Sequence, residues 1–574
     1  MEAQIEQLND IPVLFSIIQR MNIMEAIDNI FIPHQNWIGL SVGELTAIWL
    51  CYLISTQDHR LSYFEEWARD KMQMISILLD KEVSISNFSD DKLELLLGYF
   101  SEQAKWNKAE TDIDKEVIRV YDLETDIIRV DATIGKSFRK VVSDGLFQYG
   151  SSKHFRTDLP QFKTMLSTID PFGYPLCNLT VSGNSADDPL YIPVIEKSMD
   201  RLTGMNSLFV GDCKLGSFET RAFINKKGYQ YFCPLSGIQV SNSKLIDYIN
   251  KADRQQIELT KVWKEGKVIA KGYITTEQLY EIDDKGNLNL WTENRYIVRS
   301  YVYTRKMIET LVKRIKKCTN DLLKLNERKQ GRKSFKEEND LEVECQRIIK
   351  KYNLEGLINF VIDEETTIKH LRKWRDRPAR KELIVNYTVT VVSNDAGIAL
   401  KKKTMGWQIY GSNCTNKNLT LEKAILLYRK EYIIERRFDY LKNKPLNLLP
   451  IYLHKDKYVI GLINILLLCL RIISLIELSV AKNLDKMDKK IAGLYAGNPK
   501  MKTANPSAML ILRTFLNIYS ITTVDFKNKK MECAVTTLSP FQKKILRLMN
   551  LSEQIYEKFI KCFVYEQNNV ILKN

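Results

Sequence analysis

Apolar residues recur at three- and four-residue spacing through the first part of the chain. The stretches IPVLFSIIQRMNIMEAIDNIF and SVGELTAIWLCYLIS both show this period, and NFSDDKLELLLGYF opens with a Ser/Asp capping signal. Such spacing places apolar side chains on one face of an α-helix. Residues 1–120 are therefore predicted to form a helical region.

The pattern changes to strands from about residue 125. DIIRVDAT alternates, FKTMLSTIDPFGYPLCNLTVSG predicts two strands joined by a turn at DPFG, and SLFVGD predicts a short buried strand. Between them, DDPLYIPVIEKSMDRL predicts a helix with a proline in its first turn. The order strand, hairpin, helix, strand predicts an α/β core with a mixed sheet.

Residues 236–415 interrupt this core. YIVRSYVYTRK and ELIVNYTVTVVSND have strand patterns and flank a long charged helical stretch, so we predict an insertion domain here. After residue 455 the pattern is nearly all helical. Its most apolar run, YVIGLINILLLCLRIISLIELSV, is broken by Arg471 and Glu477. A membrane span needs about 20 apolar residues, so we expect a buried helix and no membrane association.

The stretch YRKEYIIERRFDYLKNKP, residues 428–445, is predicted to be one amphipathic helix. The apolar stripe consists of Leu427, Ile434, Phe438 and Leu441. The flank of this stripe consists of Tyr428, Glu431, Glu435 and Lys442. A carboxylate beside a buried stripe is costly unless a cationic side chain or a metal ion meets it. Mixed charge beside an apolar stripe is also typical of ordinary surface helices, and this alternative stays open.

Charge and cysteine content narrow the class of protein. The 574-residue chain has 85 Lys+Arg against 70 Asp+Glu, a net charge of +15, which favours a polyanionic partner such as nucleic acid. The ten cysteines are scattered without paired spacing, which argues against a zinc site and a disulfide scaffold. The start MEAQIEQLNDIPVLF lacks the basic region of a signal peptide, so we expect a cytoplasmic protein.

Three carboxylates have unusual settings. Asp131 follows the predicted strand IIRV, Asp212 follows SLFVG, and Glu435 lies on the predicted helix. An aspartate at a strand end often only caps a turn. Three converging carboxylates can instead bind Mg²⁺, and two such ions about 4 Å apart can activate a nucleophile and stabilise the leaving oxygen of a phosphodiester.

Four segments carry a family resemblance. VDATIG, YGSSKHFRTDLPQFK, FVGDCKLGSFETRAFI and YRKEYIIERRFDYLKNKPL, in this order, resemble the DDE transposases of bacterial insertion sequences. The closest branch has a long insertion before its catalytic Glu and a Tyr-Arg-Glu-Lys signature on the last helix. The resemblance implies an RNase H-like core, with the first two acids on neighbouring strands and the third on a helix beyond the insertion.

The resemblance assigns Asp131, Asp212 and Glu435 as the catalytic acids that bind two Mg²⁺ (or Mn²⁺) ions. Tyr428 and Lys442 match its signature, whose Tyr and Lys act near the DNA backbone. The departure is Glu431, which stands where the signature expects Arg.

Other cations are weaker candidates for DNA contact. Arg436 lies on the predicted helix, and His154 and Arg156 lie in the segment SSKHFRTDLPQFK. A histidine in a loop is more often simply solvated, so these assignments remain hypotheses.

The resulting prediction is an RNase H-like core interrupted by a β-containing insertion domain, with helical N- and C-terminal regions. The expected segments are a helical DNA-binding region, 1–120, the first part of the core, 121–235, the insertion domain, 236–415, the part of the core with the catalytic helix, 416–455, and a helical C-terminal region, 456–574. The resemblance implies a bacterial, nucleoid-associated transposase that acts on double-stranded transposon ends and target DNA as a homodimer in a synaptic complex. The alternatives are an RNase H-like nuclease or resolvase that does not join DNA, and a DNA-binding protein that has lost catalysis.

Overall fold

The computed structural model describes residues 2–150, 158–202, 204, 206–282, 285–327, 335, 337–373, 378–414, 417–525 and 530–566. The chain forms two compact units. The first comprises Met1–Cys233, Tyr280–Asn289 and Leu427–Asn574, and the second comprises Pro234–Leu279 and Leu290–Leu426. The expected segments 1–120, 121–235 and 456–574 thus lie mainly in the first unit, and 236–415 lies mainly in the second.

The secondary structure mixes helices and strands, which confirms the predicted α/β class. The strands are β1 (Glu2–Gln7), β2 (Ile127–Lys136), β3 (Gln161–Ile169), β4 (Tyr174–Ser182), β5 (Leu208–Gly211), β6 (Gln230–Pro234), β7 (Thr260–Lys264), β8 (Lys267–Ile282), β9 (Leu288–Ser300), β10 (Ile358–Leu371), β11 (Arg380–Ser393), β12 (Trp407–Ser412), β13 (Tyr519–Asp525) and β14 (Lys530–Val535). The helices are α1 (Ile11–Arg20), α2 (Ile23–Asp28), α3 (Val42–Thr56), α4 (Phe64–Arg69), α5 (Met72–Leu79), α6 (Asp90–Phe100), α7 (Gln103–Tyr121), α8 (Asp188–Met199), α9 (Phe218–Lys226), α10 (Asn242–Arg254), α11 (Tyr301–Leu323), α12 (Glu338–Lys351), α13 (Asp395–Thr404), α14 (Leu421–Tyr428), α15 (Tyr432–Lys442), α16 (Asp456–Lys486), α17 (Ala508–Leu512), α18 (Pro540–Leu548) and α19 (Gln554–Glu566).

A mixed sheet forms the centre of the first unit, with the strand order β4-β3-β2-β5-β6. The strands β2, β3 and β4 are antiparallel, whereas β5 runs parallel to β2 and to β6. The β3–β4 turn includes Gly173, whose φ of +64° is costly for residues with a side chain. Helix α8 lies between β4 and β5 in the chain, so the predicted order strand, hairpin, helix, strand is confirmed.

The 31-residue helix α16 is the longest element of the first unit. It is long and apolar enough to cross a membrane, but 94% of its most apolar window is buried in the protein. It packs against α3, α6 and β4. This arrangement confirms the predicted buried helix.

A buried ion cluster joins the N-terminal helices to the sheet and to α16. Glu110 and Asp114 of α7 both pair with Arg471 of α16, at 2.7 and 3.1 Å, and with Arg201, at 2.6 and 2.9 Å. The Tyr174 hydroxyl of β4 donates to Asp114 at 2.8 Å. These buried charges are paired with one another, and residues 1–120 belong to the same compact unit as the sheet and α16.

The expectation that both terminal regions are helical is wrong in one respect. Strands β1, β13 and β14 form an antiparallel sheet in which Gln4 faces Thr522 and Ile5 faces Ile521. The sequence YSITTVD of β13 is rich in β-branched residues, which favour strands. This signal is short and has no neighbouring strand pattern, so it is hidden between helical segments.

The second unit contains the strands β12, β9, β8 and β7 as successive neighbours in a sheet. It also contains a separate two-stranded antiparallel ribbon, β10–β11. One end of this ribbon packs with α11 and α12 around Leu311, Cys318 and Leu341. The second unit therefore has its own hydrophobic core.

Candidate functional site

Two of the predicted acids lie side by side where β2 runs next to β5. The prediction that Asp131 ends its strand is wrong, because β2 stays paired with β3 as far as Lys136, whereas Asp212 does follow the last residue of β5. The last parallel pair between β2 and β5 joins Val130 to Gly211, and Asp131 and Asp212 are the next residues of the two strands. Both aspartates are half-buried. The parallel register thus brings two carboxylates, 81 residues apart in sequence (212 − 131), to the same edge of the sheet.

A buried tyrosine holds the second of these aspartates. The Tyr191 hydroxyl of α8 donates to Asp212 Oδ1 at 2.7 Å, and the Lys214 amide donates to the same oxygen at 2.8 Å. Burial raises the pKa of Tyr191 well above its usual value of 10, and the charges of Asp212 and Asp131 raise it further. Tyr191 therefore stays protonated as a donor. Sequence reasoning missed it because nothing local marks a contact between residues 21 positions apart.

One face of β2 meets the segment that carries the third acid. Side chains alternate along a strand, so Arg129, Asp131 and Thr133 point to the same side. The Arg129 guanidinium donates to the Leu427 carbonyl at 2.9 Å, and Lys442 Nζ lies 2.9 Å from Thr133 Oγ1. These contacts fix the α14–α15 segment along β2 on either side of Asp131.

The prediction of one continuous helix over 428–445 is wrong. Helix α14 ends at Tyr428, α15 begins at Tyr432, and a turn separates them. The Leu427 carbonyl accepts the amide of Lys430 at 3.1 Å and the Arg129 guanidinium, instead of the Glu431 amide that an α-helix would supply. The predicted alignment of Tyr428 with the later residues therefore fails. The inward stripe predicted for the same segment is nevertheless buried.

A small cleft forms where β2 and the end of β5 meet this turn. It is lined by Arg129, Val130, Asp131, Val210, Gly211, Asp212, Tyr428, Glu431 and Ile434. The carboxylate that α14–α15 contributes to the lining is thus Glu431, not Glu435. The Tyr428 ring packs edge-on against Phe232 of β6, with 6.4 Å between the ring centres.

Glu435 lies one turn further along, on the exposed side of α15. Its side chain is exposed, and no residue in the described part of the chain forms an ion pair or side-chain hydrogen bond with it. Lys442 follows seven residues later in the same helix, so both side chains lie on a similar side of α15. The assignment of Glu435 as the third acid stays a prediction.

The two arginines that follow Glu435 in the chain, Arg436 and Arg437, form ion pairs with another carboxylate, that of Glu477. Arg436 pairs with Glu477 of α16 at 3.0 Å, and Arg437 pairs with it at 2.8 Å. Arg437 and Glu477 are both buried, and Arg437 Nε also donates to the Phe172 carbonyl at 2.9 Å. Arg436 and Arg437 therefore attach α15 to α16, and Arg437 also attaches it to the β3–β4 turn. The DNA-contact role predicted for Arg436 stays a prediction, because 42% of its side chain remains exposed.

The side chains of the candidate site supply some, but not all, of the ligands predicted for a hard divalent cation. Asp131 and Asp212 offer the carboxylate oxygens that Mg²⁺ or Mn²⁺ prefers. Across the described ranges, no three His, Cys, Asp or Glu side chains are close enough together to hold a metal ion. The structure thus brings two of the three predicted ligands together and leaves the third apart. The candidates His154 and Arg156 lie outside the described residues.

No protein-family model matches the chain, and no curated protein matches it either.

Proposed function

We propose that the protein is a DDE-type DNA transposase of a bacterial insertion sequence, with an RNase H-like core formed by β2–β6 and the α14–α15 segment. The observation that carries the proposal is the parallel register that sets Asp131 beside Asp212. An acid-bearing helix beyond an inserted unit, fixed along the same strand, adds support. This is the arrangement that the resemblance implies for two neighbouring aspartates and a later glutamate.

In this function Asp131 and Asp212 would hold divalent ions where β2 runs beside the end of β5. Such ions would supply activation of the attacking water or 3′-OH and stabilisation of the leaving oxygen. Tyr191 and the Lys214 amide restrict Asp212 by occupying its Oδ1, which leaves Oδ2 for the cleft. Lys442 supplies a cation two residues along β2 from Asp131, where a phosphate beside the scissile bond would lie.

The substrate is duplex DNA at the transposon ends, followed by the target DNA that receives the 3′-OH. A net charge of +15 supports a polyanionic substrate, and binding is expected to weaken with salt because each neutralised phosphate releases counterions. Cutting two ends together implies at least a dimer.

The aspartates are tested by Asp131→Asn and Asp212→Asn. Each change nearly preserves shape but removes the charge that holds a cation, so we expect loss of end-DNA cleavage with end binding retained. Asp439→Asn is the matched control, because Asp439 is an exposed carboxylate of α15 whose side-chain hydrogen bond, among the described residues, comes from Asn443 at 2.7 Å. An aspartate variant that still cleaves at a tenth of the parent rate would remove that residue from the site. Cleavage without strand joining would instead identify a nuclease or resolvase.

The third acid is tested by comparing Glu435→Gln with Glu431→Gln. Glu435 shares α15 with Lys442 and has no described ion-pair partner, so its carboxylate is available to a cation. We expect Glu435→Gln to be inactive and Glu431→Gln to retain substantial metal-dependent nicking of end DNA. The opposite result would mean that the third acid is the residue that lines the cleft, one helical turn earlier.

A further inference from the structure

The β10–β11 ribbon extends well beyond the core of the second unit. Its two strands pair over 14 positions, from Ile358 opposite Ser393 to Leu371 opposite Arg380. At about 3.4 Å per residue the ribbon is about 45 Å long. Only the end that carries Ile358 and Val389 is buried against the helices of this unit. Most of its length is therefore unnecessary for that core.

The other end, residues 366–373 and 378–385, is here named the distal ribbon. Every residue from 364 to 370 on β10 and from 380 to 383 on β11 is exposed. An isolated two-stranded ribbon is only marginally stable in water. Its retention at this length suggests a partner that contacts both of its strands.

The charge of the distal ribbon is one-sided. Its ionised residues are Lys369, Arg372, Lys373, Arg380, Lys381 and Glu382. The five cations are exposed, and no described residue forms an ion pair with any of them. Apart from Glu382, the acids of this ribbon, 363–365, lie nearer the packed end. The positive charge is therefore concentrated at the free end.

An apolar pair accompanies these cations. Ile368 faces Leu383 across the ribbon, and the two side chains are 58% and 64% exposed. The next pair on the same face is His370 opposite Lys381. Exposed apolar side chains flanked by cations suit a partner that offers both phosphates and apolar base or sugar surface.

We propose that the distal ribbon docks in a groove of duplex DNA. The major groove of B-form DNA is about 12 Å wide and admits a two-stranded ribbon, and phosphates border it on both sides. The deep, narrow major groove of duplex RNA does not admit one. A second copy of this chain is a poorer occupant of the distal ribbon than DNA, because the five exposed cations favour a polyanion and the chain carries +15, which does not bear on a dimer formed through other surfaces. The inference rests on the proposed function in taking DNA as the polyanion, but it needs no cleavage chemistry.

The test measures binding of the full chain to a 30-base-pair DNA duplex by fluorescence anisotropy in EDTA, across about 50–200 mM salt. The ribbon variant combines Lys369→Gln, Arg372→Gln, Arg380→Gln and Lys381→Gln. The matched control combines Lys306→Gln, Lys313→Gln, Lys316→Gln and Lys317→Gln, four exposed lysines on α11 of the same unit. We expect the ribbon variant to bind at least about tenfold more weakly, with a salt slope smaller by about two to four, and the control to change little.

A second variant, Ile368→Ser with Leu383→Ser, tests the apolar pair. It should weaken DNA binding while leaving the salt slope unchanged, because it removes no charge. Equal losses in the ribbon and control variants, or no loss in either, would overturn the proposal. An equal loss on duplex RNA or on polyglutamate would overturn it as well, since neither offers a B-form groove.

The outcomes separate this inference from the proposed function. If the parent chain cleaves end DNA but the ribbon variant binds DNA as tightly as the control variant, the proposed function stands and the docking surface is refuted. If the ribbon variant binds DNA poorly but the parent chain does not cleave DNA, the docking surface stands and the proposed function is refuted.

Discussion

Replacing Tyr191 with phenylalanine removes one hydroxyl from beside the candidate site. That hydroxyl donates to Asp212 Oδ1 at 2.7 Å, and the other donor to this oxygen within the described part of the chain is the Lys214 amide at 2.8 Å. A hydrogen bond to a charged group contributes about 1.5–3 kcal/mol. We therefore expect Tyr191→Phe to lower the free energy of unfolding by about 2 kcal/mol.

The matched control is Tyr174→Phe, which removes the same group elsewhere. Tyr174 is also buried, and its hydroxyl donates to Asp114 at 2.8 Å in the ion cluster. Urea unfolding should show a similar loss of stability in both variants. Only Tyr191→Phe should also raise the Mg²⁺ concentration for half-maximal nicking, by about 10- to 100-fold, because a residue that orients a metal ligand affects metal affinity.

The pH dependence adds a second check on this role. Burial, followed by the two aspartate charges, raises the pKa of Tyr191 above 10, so the hydroxyl should donate throughout the range from pH 6 to pH 9. The difference between parent and Tyr191→Phe should be constant over this range. If Tyr191→Phe loses stability but keeps the Mg²⁺ dependence of Tyr174→Phe, the hydrogen bond serves folding alone and the positioning role is refuted.

Two further predictions concern buried charges. Arg471→Met leaves two buried carboxylates undercompensated, so it should lower the free energy of unfolding by about 3–5 kcal/mol in urea denaturation, whereas Arg547→Met at a 77% exposed site should change it by less than about 0.5 kcal/mol. Burial raises the pKa of Asp10 to about 6 from 3.8, so its ionisation destabilises the fold as pH rises from about 4 to 6, by up to about 3 kcal/mol. Asp10→Asn keeps an acceptor for Ser55 and removes this slope. Its stability relative to the parent should therefore be higher at pH 7 than at pH 4.5, and a pH-independent difference would contradict this reasoning.

The core strands and the two aspartates were predictable because their signals are local. Alternation and the DPFG turn identify β2, β3 and β4, and the position directly after a short strand pattern identifies Asp131 and Asp212. Only Asp212 ends its strand, since β2 continues past Asp131 to Lys136, and the adjacency of the two aspartates follows from the parallel register of β2 with the four-residue strand β5. Tyr191 carries no such signal, because its role depends on where α8 packs.

The break between α14 and α15 was not predictable from periodicity. The apolar stripe continues through it, since Leu427 and Ile434 are both buried although the helix stops between them. The competing hydrogen bond comes from Arg129, 298 residues earlier in the chain. The pairing of β1 with β13 was likewise not predictable from a local pattern, because the two strands come from opposite ends of the chain.

Two charged residues, Arg471 and Glu477, interrupt the apolar run of α16. Their ion pairs explain how the elements around the candidate site are attached to this helix. Arg471 binds α7, whereas Glu477 binds the arginines of α15, so each charge attaches a different element to the same buried helix. The position of the α14–α15 segment is then set at three points: Leu427 by Arg129, Lys442 by Thr133, and Arg437 by Glu477. Glu431, in the turn before α15, and Glu435, in its first turn, both lie in sequence between the two contacts that flank Asp131. The choice between Glu431 and Glu435 is therefore one of helical register, which the paired glutamine substitutions resolve.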